Sequence, residues 1–229
     1  FGMQVSKGAR IQYKPGVQDR VELTHLLAIE HYDCSRSSLI GLHNRYNIAA
    51  ALIACRWLGA DPKALQQSID EFAPLEHRIE IVGERSGVLY INDSKSTTVA
   101  ASVAALRAVL EAFPQREVVL MLGGLAKAGS WQPLMDLLQQ RRSSRAVICF
   151  GGDGRLIQSH CRAAGIETVL AKDLSEGVFS SRSIAKSGDI VLLSPGCASF
   201  DQFAGFEERG AAFKKLVLDS KSQAVQAAV

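Results

Sequence analysis

Val118-Val119-Leu120-Met121-Leu122-Gly123-Gly124 is a run of five apolar residues closed by two glycines. A continuous apolar run of this length reads as a strand covered on both faces, the way strands of a parallel sheet are buried. The pattern returns at Ala146-Val147-Ile148-Cys149-Phe150-Gly151-Gly152 and, shorter, at Ile190-Val191-Leu192-Leu193. Helical patterns over residues 99–110, 134–140, 156–164, 175–185 and 211–218 lie before, between and after these runs. Two further β-rich runs, over residues 79–82 and 88–91, precede them with Ser86-Gly87 as the turn. Strands alternating with helices imply βαβ units, hence an α/β domain built on a mainly parallel sheet.

Upstream of residue 79 the pattern differs. Residues 1–40 read as short strands and turns, with Val21-Glu22-Leu23-Thr24-His25-Leu26 alternating as a half-buried strand does. A helix follows Gly41-Leu42-His43-Asn44, with apolar positions at Ile48, Leu52, Ile53, Cys55 and Trp57, and Gly59 closes it. Asp61-Pro62 opens a second helix, proline being well suited to the first helical position. Pro74-Leu75-Glu76-His77-Arg78 breaks the pattern, so a domain boundary is expected there, with residues 1–75 before it and 76–229 after it. The chain opens Phe1-Gly2-Met3 without an initiator, and it is expected to be part of a longer protein.

Composition narrows the class. Apolar residues make up 47% of the 229 and charged residues 21%, as in an ordinary globular protein. The net charge of +3 suits small anionic ligands. It comes with no basic stripe of the kind a nucleic-acid binder shows. No stretch approaches the roughly 18 apolar residues of a membrane span, and no charged-then-apolar leader is present, which leaves the cytoplasm as the expected compartment. Five cysteines form no C-x-x-C pair and read as reduced, buried thiols. Cys197, in a glycine-rich segment, has no histidine at a suggestive spacing to activate it. His25, His31 and His160 show no metal-ligand spacing.

In parallel sheets, ligands collect where strands end and the following turns open into helices. Three such turns are polar. Asn92-Asp93-Ser94-Lys95-Ser96-Thr97-Thr98 offers a carboxylate, an ammonium and hydroxyls before a helix start, fit for a polyanion or a ribose. Capping by Thr97 or Thr98 is the structural alternative, and it leaves Lys95 unexplained. Gly123-Gly124-Leu125-Ala126-Lys127 presents one lysine. Ser199-Phe200-Asp201-Gln202 fits a capping box, with Phe203 and Phe206 on one face of the helix it would open. Gly151-Gly152-Asp153-Gly154 lacks the G-x-x-x-x-G-K-[ST] pattern of a phosphate loop and reads as a tight turn.

Gly41-x-His43-Asn44-x-x-Asn47, Glu76-His77-Arg78 and Asn92-Asp93-Ser94-Lys95-x-Thr97 resemble, in order, the motifs of the Mur ligases. Leu193-Ser194-Pro195-x-Cys197-Ala198-Ser199-x-Asp201-Gln202-Phe203-x-x-Phe206-Glu207-x-Arg209-Gly210 is similar to the branch of that family that adds D-glutamate. The resemblance runs from residue 41 to residue 210. It implies a Rossmann-like C-terminal domain preceded here by the end of a central α/β ATPase domain. It also implies an activity, the ATP- and magnesium-dependent joining of glutamate to UDP-N-acetylmuramoyl-L-alanine through an acyl phosphate. Carried over by motif, Asn47 would contact adenine with Asn44 supporting it, Arg78 would reach the ATP phosphates, and Asp93 would reach the ribose. Lys95 would be the catalytic lysine near the phosphates, and Thr97 would face the incoming glutamate. Lys127 and Ser199 would hold its side-chain carboxylate, with Phe200 and Phe206 lining that pocket. The partners implied are small molecules, with no nucleic acid and no membrane.

Two departures from the family pattern stand out. The sequence has no G-K-[ST] loop, and the magnesium ligands are expected outside it, so this chain alone is expected to be inactive. Leu125-Ala126-Lys127-Ala128-Gly129-Ser130-Trp131 lacks the acidic residues that usually flank this lysine, and has Ser130-Trp131 in place of an Asp-Phe pair. An L-glutamate-adding relative, or a non-catalytic nucleotide- or anion-binding module, is therefore the alternative. A nicotinamide-dependent domain would need G-x-G-x-x-G after a strand, which is absent.

Overall fold

The computed structural model describes residues 9–14, 18–25, 28–140 and 144–219. Phe1-Gly2-Met3 and Leu26 lie outside the described residues. The chain divides into two compact units, Phe1–Pro74 and Leu75–Val229.

In the first unit, β1 (Ala9–Lys14), β2 (Gln18–His25) and β3 (Ala28–Asp33) form an antiparallel sheet in that order. Helix α1 (Leu42–Trp57) lays Arg45, Ile48, Ala49 and Leu52 on one buried stripe, an i, i+3, i+4, i+7 spacing. These residues close a core with Val21, Leu23, Tyr32, Cys34 and, from α2 (Pro62–Glu71), Ile69. Arg45 is buried because Asp19 takes its Nε at 2.6 Å and its Nη2 at 2.5 Å. Trp57 falls off the stripe: it is 73% exposed and meets His25 edge-on. Asp61 caps α2 by accepting from the Ala64 amide at 3.0 Å, with Pro62 at the first helical position.

The second unit is the α/β layer expected. Its elements are β4 (Glu80–Arg85), β5 (Val88–Asn92), α3 (Val99–Ala112), β6 (Val118–Gly123), α4 (Gln132–Gln140), β7 (Ser144–Phe150), α5 (Gly154–Ala163), β8 (Thr168–Ala171), α6 (Leu174–Ile184), β9 (Ile190–Leu193) and α7 (Phe206–Leu218). The sheet order is β4-β5-β9-β6-β7-β8. Only β4 runs antiparallel, joined to β5 by Ser86 and Gly87, both at positive φ as a primed two-residue hairpin requires. Every other pairing is parallel. On one face Val119, Met121, Ile148, Phe150, Val191 and Leu193 pack with Val178 of α6 and with Phe213 and Val217 of α7. The alternate residues Leu120, Leu122, Val147, Cys149 and Leu192 are also buried, so the sheet is covered on both faces.

The chain returns from β8 at the edge through α6 and inserts β9 between β5 and β6. The turns that follow β5, β9 and β6 therefore open side by side at one end of the sheet, where this class of fold holds ligands.

Two expectations are corrected. The strand β8 was not read from the sequence. The capping box at Ser199 does not open a helix: the Ser199 carbonyl takes the amides of Gln202 (3.1 Å) and Phe203 (2.9 Å) in a turn, and α7 starts at Phe206 after Gly205. Phe203 and Phe206 therefore do not share a helical face. Among the described residues no helix is long and apolar enough to cross a membrane.

Candidate functional site

The turn after β5 is built around Asp93, which is 4% exposed. Its Oδ2 accepts from Ser96 Oγ (2.5 Å) and Ser194 Oγ (2.7 Å), and its Oδ1 from the Ile79 amide (3.3 Å). Three of roughly four lone-pair positions of a carboxylate are so occupied. One acid thereby ties together the turn after β5, the end of β9 and the segment carrying Arg78. Burial pushes the Asp93 carboxyl up to about 6, against the pull of those donors and of Arg78. A carboxyl whose pKa is raised by folding holds its proton more tightly folded than unfolded. Its stabilising contribution is therefore fully present below its unfolded value and is lost as pH rises through about 6. Relative to Asp93→Asn, the wild type should gain on the order of 1 kcal/mol between about pH 7.5 and pH 5, read as a difference in urea midpoint. A difference that stays flat across that window would rule out this titration.

Arg78 is exposed and stands between two strained residues, His77 at φ 64° and the β-branched Ile79 at φ 48°. Such conformations cost about 1–3 kcal/mol each and persist only where the surroundings enforce them. Here Glu80 Oε2 accepts from the His77 amide (2.9 Å), the His77 carbonyl accepts from the Lys95 amide (3.1 Å), and Asp93 holds the Ile79 amide. Asn92 Nδ2 stands 2.9 Å from His77 Nδ1 and also donates to Glu80 Oε2 at 3.1 Å. A side chain at Gly210 would overlap that imidazole, so α7 can pass this close to His77 only as glycine.

Beneath the turns lies Arg209, 0% exposed, on the buried stripe of α7 with Gly210, Phe213 and Val217. Its Nε donates to Ser94 Oγ (2.9 Å), its Nη2 to the Ser94 carbonyl (2.8 Å), and its Nη1 to the carbonyls of Cys197 (3.1 Å) and Gly123 (3.4 Å). One guanidinium thus joins all three turns. Burial lowers its pKa to about 10, which leaves it charged at neutral pH. Its residue was visible in the final motif without a role. The available signal was a charge falling on an apolar helical stripe.

The turns after β6 and β9 are also bonded to each other. Leu125 and Ala198 exchange two backbone hydrogen bonds (2.8 and 2.9 Å). Gly124 sits at φ 118°, and a side chain there would overlap the Ala198 carbonyl. Ser199 follows at 2% exposure. Lys127 is exposed two residues after Leu125. Lys95 is also exposed, and its ammonium stands 3.8 Å from the centroid of the Phe206 ring, a cation–π contact. Thr97 is half-buried between Lys95 and the N-cap Thr98, whose hydroxyl accepts from the Ala101 amide. Phe200 is 71% exposed beside the buried Ser199.

The structure therefore brings Arg78, Asp93, Lys95, Thr97, Lys127, Ser199 and Phe206 to one end of one sheet. Asn44 and Asn47 belong to the first unit. There, on the first turn of α1, Asn44 Nδ2 donates to the Ile40 carbonyl (2.8 Å) and its Oδ1 accepts from Asn47 Nδ2 (3.3 Å). Cys197 is buried and its thiol is pushed up by desolvation, which disfavours a nucleophilic thiolate. Among the described residues no three Asp, Glu, His or Cys side chains come together as a metal site.

Residues 77–197 match the family described as Mur ligase, glutamate ligase domain. The chain is 43% identical over 183 residues to UDP-N-acetylmuramoylalanine–D-glutamate ligase of Nitratidesulfovibrio vulgaris, an alignment covering 80% of this chain and 40% of that one. It is 41% identical over 184 residues to the ligase of the same name from Chlamydia pneumoniae, covering 80% and 42%. The chain thus spans about two-fifths of the length of these relatives. In fold it is similar to the UDP-N-acetylmuramate-alanine ligase MurC of Thermotoga maritima, with a TM-score of 0.66, 15% identity, and coverage of 95% of this chain and 44% of that one. It is likewise similar to folylpolyglutamate synthase of Mycobacterium tuberculosis, with a TM-score of 0.65, 15% identity, and coverage of 91% and 48%.

Proposed function

The chain belongs to the Mur ligase family, and from that premise we propose that it is the C-terminal part of an ATP-dependent amide ligase. The ligase would add glutamate to UDP-N-acetylmuramoyl-L-alanine in the cytoplasm, for peptidoglycan synthesis. ATP would phosphorylate the muramoyl-alanine carboxylate, and the glutamate amine would attack the acyl phosphate. Magnesium would neutralise phosphate charge on ligands from elsewhere in the protein. In this reading Asn47, steadied by Asn44, contacts adenine, Arg78 and Lys95 face the phosphates, and Asp93 directs its remaining lone pair to the ribose. Thr97 faces the incoming glutamate.

The observation that carries the reading is the pairing of Ser199 with Lys127. Ser199 lies in the turn after β9, beside the loop that follows β6. The Leu125–Ala198 bridge ties its turn to the loop presenting Lys127. A neutral donor plus an ammonium is the combination a side-chain carboxylate requires, and charge-assisted bonds are the stronger kind. Phe206 and Phe200 would cover the methylenes of the same ligand.

In the full-length ligase, Lys127→Ala should raise the KM for glutamate about ten- to a hundred-fold, the loss of one charge-assisted contact of roughly 1.5–3 kcal/mol. The change in kcat should be much smaller. A glutamate KM that does not move would remove Lys127 from the carboxylate site.

A further inference from the structure

We propose that Asp153, in the turn between β7 and α5, is the positioning residue for Lys127. The inference rests on the assignment of Lys127 to the glutamate carboxylate and adds to it a residue outside the three turns that meet the ligand.

Lys127 sits in an exposed loop over residues 125–130, and a flexible ammonium on such a loop would bind weakly, because ordering it on binding costs entropy. The base of the loop is nevertheless held from two sides. From one side comes the Leu125–Ala198 bridge. From the other, Asp153 makes two bonds of opposite sense: its amide donates to the Gly124 carbonyl (3.0 Å), and its Oδ2 accepts from the Ala126 amide (2.7 Å). The second bond fixes the residue immediately before Lys127. It is short and charge-assisted, so it restrains the direction in which the lysine leaves the loop.

Asp153 is itself held. The Gly152 amide beside it donates to Asp201 Oδ2 (2.8 Å), and Asp201 lies two residues after Ser199. Asp201 thus places a carboxylate on this Gly-Gly turn, where a phosphate loop would place an anion. Asp153 is left to serve the neighbouring loop. A closed chain of contacts results, from Ser199 through Asp201, Gly152 and Asp153 to Ala126 and Lys127. It fixes the backbone of the loop that presents the ammonium relative to the turn that carries the hydroxyl, the two groups proposed to share one carboxylate.

The test is a set of variants of the full-length ligase, assayed for KM and kcat with glutamate. Asp153→Ala should raise the glutamate KM about ten-fold, with kcat changed less than about three-fold and the KM for ATP unchanged. Asp153→Asn keeps an oxygen able to accept from the Ala126 amide and should stay within about three-fold of wild type. In a Lys127→Ala background, Asp153→Ala should add almost nothing, because residues acting through one contact are non-additive. Ala126→Pro deletes the donor of the same bond and should reproduce the KM effect if Asp153→Ala does not fold. The inference is overturned if Lys127→Ala raises KM while Asp153→Ala and Ala126→Pro leave it unchanged. It is equally overturned if the two single effects multiply in full. A Lys127→Ala variant with unchanged KM would instead overturn the carboxylate assignment beneath it.

Discussion

Replacing Arg209 by Ala should destabilise the C-terminal unit by about 3–5 kcal/mol, from the cavity a large buried side chain leaves and the acceptors it leaves unpaired. The expectation follows from counting what the side chain leaves behind. Its guanidinium is 0% exposed and has four acceptors: Ser94 Oγ and the carbonyls of Ser94, Cys197 and Gly123. Truncation opens a cavity the size of the side chain and strips these groups of their donors where water enters poorly. An unmet buried polar group costs about 1–3 kcal/mol, so even partial relaxation leaves a large deficit. Lysine should recover less than half of the loss, because a single ammonium lacks the planar fork that spans three turns. For a unit of this size each kcal/mol moves the melting temperature by roughly 2–4 °C, so a fall of about 10 °C is expected in thermal unfolding of the chain. An Arg209→Ala protein melting with the wild type would show that the turns hold one another without it.

That residue also marks how far the sequence could be read. The runs at Val118, Ala146 and Ile190 were legible because burial on both faces leaves no polar position to confuse the pattern. The strand Thr168–Ala171 was not, since it is four residues long at the sheet edge and only Ala171 is fully buried. The start of α7 was misplaced at Ser199. A Ser-x-x-Gln spacing satisfies a helix start and a simple turn equally well, and here Gln202 Oε1 reaches instead to the distant Leu174 amide at 3.2 Å. Of the site, the motif residues were legible as types at spacings. The groups that hold them were not, because Arg209 with Ser94, Asp153 with Ala126 and Asp201 with Gly152 are pairings between distant segments that exist only once the sheet order is set.

With each glutamate enantiomer assayed separately in the full-length ligase, D-glutamate should be used on the order of a hundred-fold faster than L-glutamate. The side-chain carboxylate is proposed to rest on Lys127 and Ser199, and the α-substituents on the Thr97 side of the pocket. With one end fixed, exchanging enantiomers exchanges the positions open to the amine, the α-carboxylate and the hydrogen. The amine then misses the acyl phosphate, and misplacement by about 1 Å can cost a hundred-fold in rate. The unusual loop from Leu125 to Trp131 bears on which enantiomer fits. Its acidic flanks are absent, but its aromatic end does not face a ligand: Trp131 is buried, stacked near His160, with its ring 3.4 Å from where a side-chain carbon at Gly196 would stand. The Trp131 ring is therefore absorbed in packing against the Pro195-Gly196 turn and His160, and the roles proposed for Thr97, Lys127 and Ser199 do not depend on it. Faster turnover of L-glutamate would overturn the D assignment and leave the ligase reading intact. No turnover of either enantiomer, with UDP-N-acetylmuramoyl-L-alanine and ATP present, would count against both.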